Sequence, residues 1–183
     1  MPLKDDIEII ENLDKLFMKK HVDIKALTDI NPEEIDNSID HILKGGTRAS
    51  VPLSTAIKLI EKGLATIPEE YINWIKKVIW REKSMSKVDA LVKHEDDFYQ
   101  KLIITLYAIK YDKKGVNLEE DLRIHITHLT RQILMKRLSI LLSKATSSTG
   151  SITQNMAPEE DLLFRIVKTV TSMWLEKLNI NTF

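Results

Sequence analysis

The chain has 183 residues, with 27 basic and 27 acidic side chains and a formal net charge of zero. A neutral chain has no overall field that would hold it on nucleic acid or on an anionic membrane. The absence of cysteine excludes disulfides, zinc-thiolate sites, iron–sulfur clusters and cysteine nucleophiles. The longest apolar run covers residues 102–109, whereas a membrane-spanning helix needs about 20 apolar residues.

The composition is that of a folded soluble protein, with 43% hydrophobic and 30% charged residues. The first ten residues carry acids where a signal peptide has basic and then apolar residues, so we expect a cytoplasmic protein. The chain has 24 Ile and 21 Lys but only 6 Arg. This bias is typical of an organism from a hot habitat, although AT-rich codon usage produces it too.

The first 68 residues carry short elements that predict a small N-terminal α/β domain. Residues 4–20 begin with acids, end with lysines and have apolar residues at helical spacing, which predicts a helix. Residues 22–26 alternate apolar and polar side chains, which predicts a short strand. Residues 31–34 predict a turn or a helix start, followed by an apolar repeat that ends at Gly45.

Residues 49–68 predict a strand, a helix and a returning strand. Pro52 suits the end of an edge strand, and Ser54 suits the N-cap of the helix that follows. Gly63 suits the first position beyond that helix, and Pro68 ends the second strand. This unit is too short to form a core alone, so we group it with the preceding residues as one domain, 1–68.

After Pro68 the apolar spacing becomes helical, which predicts a helical-bundle domain over residues 69–183 and a mostly α protein. Residues 146–157 are rich in Ser and Thr and predict a linker before the last helix. The predicted helices cover residues 69–81, a stretch from Ser84 or Ser86 to Ile109, residues 117–145 and residues 158–178.

The polar residues do not predict a catalytic or metal site. His125 and His128 share a helix face, but no third and fourth ligand accompany them at a suitable spacing, so we interpret them as half-exposed polar residues. The chain lacks the GxSxG pattern of a nucleophilic serine, and its paired acids fall at helix starts, where they favour the helix dipole. We expect no enzyme, cofactor or metal; a helical enzyme stays an alternative that needs a convergent polar pocket.

A second alternative is a DNA-binding transcriptional regulator that uses residues 50–68 and the basic stretch 131–144. The first segment lacks the second, basic recognition helix of a helix–turn–helix. The basic residues of the second segment either contact a DNA backbone weakly or form a solvated rim and buried ion pairs with Glu82 or Asp97. These residues are Arg131, Lys136, Arg137 and Lys144.

The predicted helices carry wide apolar faces, which indicates a subunit of a stable assembly. Trp and Tyr are the usual anchors of protein interfaces. We therefore predict subunit contacts in the following set, some of which belong to the chain's own core instead: Trp74, Trp80, Phe98, Tyr99, Leu122, Ile126, Leu129 and Ile133.

Three segments together resemble a GINS subunit, a component of the replicative helicase assembly of archaea and eukaryotes. Residues 50–68 look like the core of the small GINS B domain. Residues 71–102 are similar to the start of the helical A domain, with a Trp-bearing helix and an Asp-Phe-Tyr turn. Residues 121–145 and the helix after Pro158 look like its long and final helices. The B-like segment precedes the A-like one, as in the archaeal type that merges the second and third partner subunits.

The resemblance implies a non-enzymatic scaffold. Family members form a tetramer through their A-domain helices, in archaea usually with two copies each of two subunit types. That tetramer binds the MCM helicase ring and a RecJ-like nuclease partner. The resemblance thus implies a cytoplasmic protein that associates with the nucleoid during replication, with at most weak nucleic-acid contact and no membrane.

Overall fold

The computed structural model describes residues 17–35, 42–85, 90–112, 115–147 and 154–178. It is mostly helical, with a small three-stranded antiparallel sheet near the N-terminus, so the predicted fold class is confirmed. The strands are β1 (His21–Ala26), β2 (Arg48–Pro52) and β3 (Ala65–Thr66). The helices are α1 (Leu53–Glu61), α2 (Glu69–Met85), α3 (Phe98–Tyr111), α4 (Glu120–Thr146) and α5 (Pro158–Lys177), and a 3-10 turn covers Pro32–Ile35.

The central strand of the sheet is β1, which pairs with β2 on one side and β3 on the other. Its residues Val22, Ile24 and Ala26 are buried and alternate with polar residues, as the sequence predicts. Ile24 lies opposite Ala49 on β2, and Ala26 lies opposite Ala65 on β3. The helices Leu53–Glu61 and Phe98–Tyr111 pack on β1.

Helix α1 starts at Leu53, directly after β2, so the prediction that Ser54 is its N-cap is wrong. The Leu53 side chain is buried, and its backbone N–H donates to the Lys20 carbonyl at 2.8 Å. A first-turn donor is therefore satisfied by the chain before β1 rather than by a capping side chain. At the other end Gly63 has φ +68° beyond Lys62, which confirms its predicted place.

Residues 90–97 are irregular, so the prediction of a helix that carries Leu91 into Phe98 is wrong for these residues. The Leu91 carbonyl accepts a hydrogen bond from Asn155 Nδ2 at 3.2 Å, and the Val92 carbonyl accepts one from Arg137 Nη1 at 2.9 Å. Long-range side-chain donors thus take the place of helical N–H groups. Both apolar side chains remain buried.

A continuous hydrophobic core joins the sheet to the helices. It contains Ile24 of β1, Leu59 of α1, Ile75 of α2, Ile104 of α3 and Ile126 of α4. A smaller cluster joins the far end of α4 to α5: Leu91, Ile140, Leu141, Ala145 and Phe164. The division into domains at residue 68 stays a prediction.

Parts of three predicted elements lie outside the described residues: residues 4–16 of the first helix, 36–41 of the apolar repeat and 148–153 of the linker. Within the described ranges, no helix combines the length and the apolar character needed to cross a membrane.

Candidate interaction surface and the charge cluster behind it

Five polar side chains converge where α2, α3, α4 and α5 meet. We call this group the buried charge cluster: Glu82, His94, Tyr99, Arg137 and Glu160. The Arg137 Nε and Nη2 atoms each lie 2.7 Å from an oxygen of Glu160, and Nη1 lies 2.7 Å from Glu82 Oε1. Arg137 is only 1% exposed. A two-point contact of this kind fixes the orientation of the guanidinium as well as its distance.

The other two members of the cluster, His94 and Tyr99, also make hydrogen bonds with the two carboxylates. His94 Nε2 lies 2.7 Å from Glu82 Oε1, and its ring stacks on Phe98 with a centroid separation of 4.2 Å. Because an ionised carboxylate can only accept, Nε2 carries the hydrogen. The Tyr99 hydroxyl donates to Glu160 Oε1 at 2.8 Å. The cluster therefore connects α2, α3 and α5 to Arg137 of α4, with Tyr99 of α3 bonded through Glu160.

The cluster shifts the pKa of Glu82, Tyr99 and Arg137. Burial raises the pKa of Glu82, but the hydrogen bond from His94 and the charge of Arg137 outweigh it and lower that pKa below its ordinary value. Burial and then the Glu160 carboxylate raise the pKa of Tyr99. For Arg137, burial lowers the pKa, but Glu160 outweighs it and the net shift is upward. With both carboxylates engaged by a permanent cation, the arrangement positions α5 against α2 and α4.

The predicted DNA-contact residues occupy different environments. Arg137 is buried in the charge cluster, so its prediction as a DNA contact is wrong, and the alternative of a buried ion pair with Glu82 is confirmed. The sequence spacing of these cations could not show which of them faces α2 and α5. Arg131 and Lys136 are exposed and Lys144 is half-buried, so DNA contact by these three stays a prediction.

The predicted interface residues also differ in how far the chain buries them. Phe98, Ile126 and Ile133 are buried in the chain's own core, so their prediction as subunit contacts is wrong in this fold. Their apolar spacing marks faces that pack on neighbouring helices. Trp80 is 66% exposed on α2. The other predicted contacts are half-buried: Trp74, Tyr99, Leu122 and Leu129.

The most exposed apolar side chains of the last helix lie on one stripe. Leu163, Val170 and Trp174 follow one another at spacings of seven and four, which places them on the same side of α5. Trp174 is 63% exposed and Val170 is 51% exposed. We call these three residues the α5 stripe. The sequence signal for it, a Trp on a periodic apolar helix, was present, but the predicted contact set did not include it.

Among the described residues, the fully buried side chains of α5 lie in its first turns, and Val167 packs on the smaller hydrophobic cluster while only half-buried. Glu160 and Phe164 are its buried residues, and both precede residue 165. The Ala157 backbone N–H donates to Glu160 Oε2 at 2.8 Å, so the helix start and the charge cluster share one side chain. Residues 165–177, more than three turns, contain no buried side chain. A helix in water gains most of its stability from packing, and the described part of the chain covers this portion only partly.

A shallow groove of about 370 Å³ lies on the outer side of α4 near its C-terminus. Met135 and Leu142 are exposed large apolar residues along this groove. Its full lining is Met135, Leu138, Ser139, Leu142, Ser143 and Thr146. We use the name candidate interaction surface for the groove on α4 and the α5 stripe taken together; these two helices pack on each other.

Within the described ranges, no group of three or more His, Asp or Glu residues could hold a metal ion. His125 and His128 are both exposed, and His128 Nε2 lies 3.0 Å from Gln132 Nε2.

The chain matches no model of a protein family, and a search of curated proteins finds no match to it.

Proposed function

We propose that this chain is a non-enzymatic scaffold subunit of a GINS-type DNA-replication complex. It joins the other GINS subunit type in a 2+2 heterotetramer, and that assembly links the MCM replicative helicase to a RecJ-like nuclease partner. The identity of the complex comes from the resemblance of residues 50–68, 71–102 and 121–145, in B-then-A order.

The observation that carries the scaffold role is the candidate interaction surface. Trp174, Val170 and Met135 are each more than half exposed on helices α4 and α5. Fully burying a large apolar side chain contributes about 1.5–3 kcal/mol, and exposed Trp is a frequent anchor of interfaces. A partner that covered the α5 stripe would bury apolar side chains that the described part of the chain leaves exposed.

The element order also supports the proposal. A small sheet with one helix comes first, and four longer helices follow, each of which carries at least one exposed large apolar residue. In the proposed complex the helical part forms the subunit contacts. The charge cluster holds α4 and α5 together, because Arg137 of α4 makes two hydrogen bonds to Glu160 of α5.

The test is the composition of the native complex. The chain, tagged at its N-terminus, is purified from its source cells at physiological salt, and the intact complex is measured by native mass spectrometry. We expect a mass equal to two copies of this chain plus two of a second subunit, with MCM and a RecJ-like protein recovered in the same fraction. A monomer that recovers neither would overturn the proposal.

A further inference from the structure

A cleft of about 510 Å³ lies between α2, α3 and the irregular residues before α3. It is on a different part of the molecule from the candidate interaction surface, because no residue of α4 or α5 lines it. Trp74, Lys77 and Arg81 of α2 form one wall. These three residues follow one another at spacings of three and four, so they lie along one face of the helix.

The floor of the cleft is aromatic. Phe98 is buried at its base, and the Trp74 ring packs against it at a centroid distance of 5.9 Å and a tilt of 56°. Trp74 is only half-buried, so part of its ring stays accessible from the cleft. An accessible Trp face held by a buried ring is a rigid platform for an apolar side chain.

Two cations on the wall make no ion pair within the described part of the chain. Lys77 and Arg81 are both exposed, and neither makes a hydrogen bond or an ion pair with a described residue. The other cation of the cleft, Lys101, is engaged by Glu95 at 2.8 Å and by Asp97 at 2.9 Å. Among the lysines and arginines that line the cleft, Lys77 and Arg81 are therefore the two that make no ion pair within the described residues. They lie one turn apart on α2, beside Trp74.

We infer that this cleft binds an acidic peptide segment of a partner protein, with an apolar side chain on Trp74 and carboxylates on Lys77 and Arg81. The geometry matches that ligand because one turn of helix separates the two cations, with the aromatic platform one turn before them. Arginine also binds carboxylates through two parallel hydrogen bonds.

The mixture of positive and negative side chains in the cleft disfavours a nucleic acid as its ligand. A duplex carries about one negative charge for each 1.7 Å of its axis, so a backbone laid along the cleft would meet anions as well as cations. Glu70 and Glu95 line the cleft beside the cations. A peptide can place two discrete carboxylates at Lys77 and Arg81 and avoid both glutamates.

The test uses the whole chain and an array of nine-residue peptides. Each peptide has a central Leu, Phe or Trp flanked by two to four Asp or Glu, and matched peptides carry Lys in place of the acids. Binding is measured by fluorescence anisotropy at low and at physiological salt, and the indole N–H signals of the three Trp residues are followed by NMR. We expect acidic peptides to bind, to shift the Trp74 signal, and to bind at least tenfold more tightly than the lysine peptides.

Two variants separate the cleft from general charge effects. The double variant Lys77→Gln and Arg81→Gln should weaken acidic-peptide binding at least tenfold, whereas Lys76→Gln, an exposed cation facing away from the cleft on the same helix, should leave it within twofold. Circular dichroism checks that both variants fold. The inference is overturned if no acidic peptide binds below about 1 mM, if the double variant binds as tightly as the parent, or if an oligothymidine binds this cleft more tightly than every peptide.

Discussion

Arg137 on α4 and Glu160 on α5 form a buried two-point ion pair, with both nitrogen–oxygen distances at 2.7 Å. Glu160 also accepts a hydrogen bond from the Ala157 backbone at the start of α5. The same side chain thus begins the last helix and anchors it to α4. The α5 stripe lies on the same helix as Glu160. The ion pair therefore helps to hold the helix that carries the stripe against α4.

Replacing Arg137 should destabilise the fold strongly. In Arg137→Met the carboxylates of Glu82 and Glu160 stay buried without a cation, and breaking such a pair costs about 3–5 kcal/mol. Urea unfolding followed by circular dichroism at pH 7 measures this loss. Arg131→Met, an exposed position on the same helix, is the control and should change the free energy of unfolding by less than about 0.5 kcal/mol. Equal effects from the two variants would contradict the buried pair.

Stability should fall when the solution is acidified below the ordinary pKa of glutamate. Burial raises the pKa of Glu82, but the hydrogen bond from His94 and the charge of Arg137 outweigh burial and hold the pKa below its ordinary value of 4.5. The folded state therefore binds this proton less readily than the unfolded state. Its contribution is fully present above pH 4.5 and is lost as the pH falls through the lowered folded pKa.

Glu82→Gln tests this dependence, because it keeps the size of the side chain and removes its titration. The free energy of unfolding of the parent and the variant is measured by urea titration at steps from pH 7 to pH 3. Below pH 4.5 the parent should lose more of its stability than the variant, so the two curves converge. Parallel curves over the whole range would show that Glu82 does not contribute the acid dependence.

Trp174→Gln should weaken assembly without weakening the fold. The side chain is 63% exposed, so the chain loses little of its own packing when the indole is removed. Truncation of a central Trp in an interface commonly costs 2 kcal/mol or more, which is roughly a 30-fold loss of affinity. Sedimentation velocity with the partner subunit measures the association, and urea unfolding measures the stability. Trp80→Gln removes the other highly exposed Trp, and its association and stability are measured in the same way for comparison.

The elements that depend on local signals could be predicted from the sequence. Val22, Ile24 and Ala26 alternate with polar residues because one face of β1 is buried, and that period is visible in the sequence. Pro158 and the three acids after it mark the start of α5, and the helix begins there. Gly63 lies at φ +68°, as its place after a helical repeat predicts.

The positions that depend on contacts distant in sequence could not be predicted. Apolar periodicity identifies a buried face but does not distinguish a neighbour in the same chain from a second protein, so Phe98 and Ile133 were assigned to the wrong one. Leu91 has helical neighbours in sequence, yet its carbonyl bonds to Asn155, 64 residues later. The choice of Arg137 over Arg131 as the buried cation is fixed by where α2 and α5 cross α4.

Gly115→Ala should destabilise the junction between α3 and the sheet. A Cβ added at residue 115 would lie 2.5 Å from the Thr66 Cβ on β3 and closer still to the Asp112 carboxylate. Real Cβ atoms do not approach other atoms this closely, so the turn must move away from β3. The Gly115 backbone N–H donates to Asp112 Oδ1 at 2.6 Å, and that movement would lengthen this hydrogen bond as well. Overpacking of this kind costs about 1–3 kcal/mol.

Gly45→Ala is the matched control, because an added Cβ there would lie 3.4 Å from the backbone of Thr28, an ordinary contact. Alanine also restricts the unfolded chain, which stabilises a protein by about 0.4–1 kcal/mol where the fold accepts the side chain. Urea unfolding should therefore show a loss for the variant at position 115 and no loss for the variant at position 45. If Gly115→Ala unfolds at the same urea concentration as the parent, the close approach between the turn after α3 and β3 does not exist in solution.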